Sequence, residues 1–139
     1  MNENWASGDL LLRQVHPKHR TNAGPNSLAF FPTPKDEDQL SVDDAHLKTA
    51  RESWEHFTRV LGFASAGTWG VTVGEVEDVG DLELKKDPVT DQEPAEKNNP
   101  AHCLIDFSSL PTKGQKKKRA QQLAIRATKR GCQYPAVED

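Results

Sequence analysis

Three short stretches, at 10–16, 69–76 and 101–107, alternate apolar with polar or small side chains. A period of two sends successive side chains to opposite faces of a sheet. Leu11, Arg13 and Val15 share one face of the first stretch; Leu12, Gln14 and His16 share the other. In the second, Trp69, Val71 and Val73 oppose Gly70, Thr72 and Gly74, small residues that predict a close neighbour. In the third, Cys103, Ile105 and Phe107 oppose His102, Leu104 and Asp106. Such alternation suits a sheet with one apolar and one polar face, not the apolar strands of a doubly wound sheet.

Helical periodicity marks two further segments. Leu47, Ala50, Trp54, Phe57 and Leu61 recur at spacings of three and four, which predicts a helix over 43–62. Ser41 with Asp44 reads as its cap and Gly62 as its stop. Ala120, Leu123, Ala124 and Ala127 stripe a second helix over 114–130, ended by Gly131. Shorter strands are expected at 27–31, 40–42 and 82–84. The whole reads as α+β: a single domain with a four- to five-stranded, mostly antiparallel or mixed sheet and two packed helices. Residues 1–9 read as a flexible tail, 10–134 as the domain with an acidic loop at 77–100, and 135–139 as a second tail.

At 139 residues the chain has length for one self-sufficient core. No apolar run approaches the ~18 residues of a membrane span, and the first residues lack the pattern of a signal or transit peptide. Cys103 and Cys132 are too few for a disulfide framework and read as reduced thiols, so a cytoplasmic location is expected. Net charge is −3, but it is unevenly spread. Residues 113–130 hold eight of the 18 Lys and Arg and none of the 21 acids, while 75–96 holds nine acids and two Lys. An acidic middle therefore faces a basic end.

The densest group of chemically capable residues is Arg13, His16, His19 and Arg20, followed by Ser27. Guanidinium forks bind phosphate, and imidazole exchanges protons near neutral pH. Arg13, His19, Arg20 and Ser27 are the candidate phosphate or ligand contacts. His16 and His102 are the candidate acid and base, because two imidazoles can take and supply a proton in turn. Lys116, Lys117, Lys118 and Arg119 open the basic helix and are the candidate contacts for nucleic acid or a partner protein. No metal site is expected, since His16 and His19 flank a proline and have no third ligand at a suitable spacing. Phosphate-loop, dinucleotide and serine-elbow fingerprints are absent, and no cofactor is expected. The leading reading is a small nucleotide- or phosphate-binding domain, of which an NAD- or RNA-directed toxin-like enzyme is one form. The alternatives are a non-enzymatic interaction module and a weak nucleic-acid binder.

The order of an Arg-bearing strand, a Gly-containing loop, SLAF, LSV, a helix with TARESWE and a strand TWGVTVGEV resembles the N-terminal half of small ADP-ribosyltransferase-like domains, including RES-type NAD-degrading toxins. It covers roughly residues 11–76 and lies in element order more than identity. The resemblance implies NAD handling, with Arg13 on phosphate, Ser27 in the pocket and Glu52 as the acidic residue. SLAFF stands where those domains carry a G-R-W/F-N-like signature, and Leu40-Ser41 where they carry an aromatic residue.

Overall fold

Antiparallel pairing joins every neighbouring pair of strands in the main sheet. The computed structural model describes residues 5–32, 35 and 37–136. In chain order the strands are β1 (Leu10–Gln14), β2 (Arg20–Thr21), β3 (Gly24–Pro25), β4 (Gln39–Asp44), β5 (Gly67–Thr72), β6 (Glu83–Lys86), β7 (His102–Asp106) and β8 (Tyr134–Pro135). Six of them form one sheet in the order β6-β7-β4-β1-β5-β8, while β2 and β3 make a separate ribbon. The helices are α1 (Ala50–Glu55), α2 (Val73–Val79) and α3 (Lys113–Arg130). The architecture is α+β, with a wholly antiparallel main sheet and one more helix than the periodicity predicts.

The alternating strands put their apolar sets on one face. Leu11, Val15, Leu40, Val42, Val71 and Ile105 are buried there, with Phe30 and Phe107. The α3 stripe Ala120, Leu123, Ala124 and Ala127 closes this core. Each large side chain so buried contributes about 1.5–3 kcal/mol. Gly67 has φ 143°, and a Cβ there would lie 2.9 Å from the Tyr134 carbonyl. Glycine at that position lets the last strand close on β5. At Gly70 a Cβ would meet Leu10 Cδ1 at 2.8 Å, the close approach expected from the small residues of this strand.

Local capping chemistry overrode three of the periodic readings. Residues 27–31 are not a strand. Asn26 Oδ1 accepts from the Leu28 amide and starts a 3-10 turn, Ser27–Phe30. The helix expected over 43–62 begins only at Ala50, because Asp43 and Asp44 belong to β4. Its cap is Thr49, not Ser41: Thr49 Oγ1 accepts from the Glu52 amide, and Glu52 accepts from the Thr49 amide in return. Leu47 lies in the turn before it and is 60% exposed. The strand expected at 69–76 ends at Thr72, which with Glu75 forms a second capping box and opens α2.

The expected tails are tied down within the described residues. Trp5 packs on the core, and the Ser7 and Asp9 carbonyls accept from the Gly74 and Val73 amides. Tyr134 and Pro135 pair with β5. The expected loop at 77–100 includes the end of α2, the edge strand β6 and a 3-10 turn, Ala95–Lys97.

Candidate functional site

The second face of the sheet is polar, and its side chains form one connected network. Ser53 Oγ, 1% exposed on α1, donates to Asp43 Oδ2 on β4 at 2.7 Å. Gln14 Nε2 on β1 donates to Ser53 Oγ and to Thr68 Oγ1, both at 2.9 Å. Asn99 Nδ2 donates to Asp43 Oδ1 at 2.8 Å, and Lys48 Nζ donates to Asn99 Oδ1 at 2.8 Å. Burial lowers the Lys48 pKa, while the charges of Asp43 and Glu52 oppose that shift. Among the described residues no buried side-chain nitrogen or oxygen lacks a partner. A satisfied network of this kind makes a rigid floor.

Over this floor lies a groove of about 290 Å³. Leu12, Ser41, Val42 and His102 come from the sheet; Phe57, Leu61 and Phe63 form an apolar wall; Val89, Gln92 and Lys97 come from the 87–100 segment. The wall exists because α1 widens after Glu55 into a π turn, His56–Val60. Such widened turns recur at functional sites. The Phe57 and Phe63 rings pack 5.2 Å apart. His56 Nε2 lies 3.0 Å from the Glu96 carbonyl, joining the π turn to the opposite wall. The sequence places His56 on a helix surface and offers no sign of this bridge.

His102 stands at the β7 side of the groove. Its Nε2 is 3.0 Å from Ser41 Oγ. Its Nδ1 is 2.8 Å from the Asp87 carbonyl and 3.1 Å from Asp87 Oδ2. Two acceptors face Nδ1, so the neutral ring carries its proton there and leaves Nε2 to accept from Ser41.

A second depression, of about 300 Å³, adjoins the groove and shares Arg13, Gln14, Phe57 and Phe63 with it. His16 and His19 line this one, with ring centroids 5.7 Å apart. The structure thus gathers Arg13, His16 and His19 in one place. Arg13 Nε donates to the Ala29 carbonyl and Nη1 to the Ser41 carbonyl, at 2.8 and 2.9 Å. His16 Nδ1 accepts from the Lys18 amide. Burial, then the positive charges of His16, Arg13 and Lys18, lower the His19 pKa.

His16 and His102 do not share a depression. His102 pairs with Asp43, and Asp43 with Leu12, so His16 lies two strands across and four residues along. By strand spacing and rise that is roughly 16 Å. Arg20 leaves the cluster as well, its Cζ 5.7 Å from the centroid of the Trp69 ring. Ser27 lines a different depression, beside Gln121 and Thr128 of α3. Four of the eight basic residues of α3 pair with acids of the same chain. Lys116 pairs with Asp38 at 3.0 Å, Arg119 with Asp81 at 2.8 Å, Arg126 with Asp78 at 3.4 Å and Arg130 with Glu75 at 2.6 Å. Lys117 and Lys118 are exposed.

No family model, curated protein or solved structure matches the chain. The element order that carried the likeness to ADP-ribosyltransferase-like domains includes SLAF as a strand, and SLAF is a 3-10 turn. Glu52 is committed to the α1 cap. Among the described residues no group of three His, Cys, Asp or Glu is placed to hold a metal, and no helix is long and apolar enough to cross a membrane.

Proposed function

We propose that the two joined depressions bind a small anionic amphiphile. Its aromatic or aliphatic body lies along Phe57, Leu61 and Phe63, and its phosphate or carboxylate reaches Arg13, His16 and His19. A mononucleotide is one member of this class, with its base on the aromatic wall. The observation that carries the reading is the shared wall: one apolar groove over a satisfied polar floor runs into a depression lined by three cationic or protonatable side chains. Concave apolar surface with a few convergent polar groups is the usual form of a ligand site.

The ion pairs between α3 and acids elsewhere in the chain weigh against the alternative of a charge-steered interaction module, because the charges of Lys116, Arg119, Arg126 and Arg130 are already answered within the molecule. A thermal-shift series with mononucleotides, aryl phosphates and medium-chain fatty acids tests the ligand reading. Binding to the native state alone raises its melting temperature. Stabilisation that Phe57→Ala and His19→Gln both weaken is expected. Melting temperatures unmoved by every member of the series would end the proposal.

A further inference from the structure

We propose that Ser41, His102 and Asp87 hydrolyse a carboxylic ester held in the groove, with Ser41 as nucleophile, His102 as base and Asp87 as its orienting acid. This rests on the groove being a ligand site and names the reaction performed there.

The sheet places Ser41 and His102 side by side. Ser41 pairs across the ladder with Leu104, and Asp43 with His102. Ser41 and His102 are therefore diagonal neighbours on the polar face, at a spacing that long side chains bridge. Asp87 is held to His102 from both sides: its amide donates to the His102 carbonyl at 2.9 Å, and its carbonyl accepts from the ring. The tautomer is the one the chemistry needs, with the proton on Nδ1 and a lone pair on Nε2 facing the hydroxyl. Ser41 is exposed on the groove, where a substrate carbonyl can reach it. The wall of Leu12, Phe57, Leu61 and Phe63 suits a short acyl or aryl group beside that carbonyl.

The reaction proceeds in two balanced halves. Ser41 Oγ adds to the ester carbonyl carbon as its proton passes to His102 Nε2. The carbon–oxygen bond to the leaving alcohol then breaks, and His102 returns the proton to that alcohol. Water repeats the attack on the acyl-serine, giving its proton to His102. The bond to Ser41 breaks, Ser41 recovers a proton, and a carboxylic acid leaves. Asp87 is a positioning residue. It keeps the ring oriented and stabilises the imidazolium formed in each half.

The test uses the full chain with a fluorophosphonate probe followed by intact mass and peptide mapping, together with hydrolysis of p-nitrophenyl butyrate. One label per chain on Ser41 is expected, with none on Ser41→Ala. Ester hydrolysis should fall by about 100-fold or more in Ser41→Ala and His102→Gln. Asp87→Asn should lower kcat with KM little changed and should alter the pH profile, which a merely structural contact would not do. Circular dichroism checks that each variant folds. A wild-type chain that stays unlabelled, or hydrolysis unchanged by Ser41→Ala, overturns the proposal. The thermal-shift series separates the two readings. Ligand binding without labelling removes the esterase alone, and loss of both removes the site.

Discussion

Ser53 Oγ donates to Asp43 Oδ2 at 2.7 Å, and this bond fastens α1 to the centre of the sheet. The same hydroxyl accepts from Gln14. Ser53→Ala leaves Asp43 one donor short and Gln14 one acceptor short beneath the groove. A buried polar group stripped of its partner costs about 1–3 kcal/mol. Urea unfolding should show a loss in that range, and ligand stabilisation should fall with it. A midpoint equal to wild type would mean that the floor is less rigid than its bonds indicate.

Thr72 ends β5 and opens α2 through its capping box with Glu75. Thr72→Ala should cost about 0.5–2 kcal/mol, the usual range for a lost cap. Glu75 also accepts from Arg130 at 2.6 Å, so the cap and the end of α3 are linked. A double-mutant cycle of Thr72→Ala with Arg130→Gln should therefore be non-additive. Strict additivity would show that the two contacts act independently.

Stability should depend on His19 as the pH falls. Burial and its cationic neighbours lower its native pKa below the unfolded value of about 6.5. The unfolded chain then binds the proton more readily than the native one. This contribution is complete above about pH 6.5 and is lost as pH falls through the lower native value. Melting temperatures measured from pH 8 to pH 5 should drop for wild type and drop less for His19→Gln. An anionic ligand should reverse the penalty and bind more tightly at the acid end. Parallel curves for the two proteins would contradict this.

Nucleic-acid binding through α3 should be weak and only mildly sensitive to salt. Four of its cations face Asp38, Asp81, Asp78 and Glu75. Lys113, Lys117 and Lys118 remain exposed at its N-terminal end and Lys129 near its C-terminal end. Four phosphate contacts would give a log–log salt slope no steeper than about −4. Filter binding across a salt series measures it. A much steeper slope would require the internal ion pairs to open.

The two thiols should differ in reactivity. Burial, followed by the charges of Asp44 and Asp43, pushes Cys103 up to about 12. Cys132 is exposed, although partial burial of its sulfur still raises its pKa. Iodoacetamide should modify Cys132 first and reach Cys103 only on unfolding, as peptide mapping would show. Equal rates would place Cys103 outside the core.

The sequence by itself determined the elements whose period is local. The faces of β1 and β7 and the buried stripe of α3 follow from spacings of two, three and four residues. Capping pairs were equally local: Asn26, Thr49 with Glu52, and Thr72 with Glu75 all carry recognisable signals, and reading apolar spacing ahead of them misplaced three boundaries. Arg13, His16 and His19 lie within seven residues, so their shared depression was legible in outline. Tertiary structure alone decided the groove. Ser41 and His102 are 61 residues apart in sequence, and only the β4–β7 register makes them neighbours. That register depends on burying Val42 opposite Cys103 and Leu40 opposite Ile105 under α3, a long-range packing choice that no local pattern encodes.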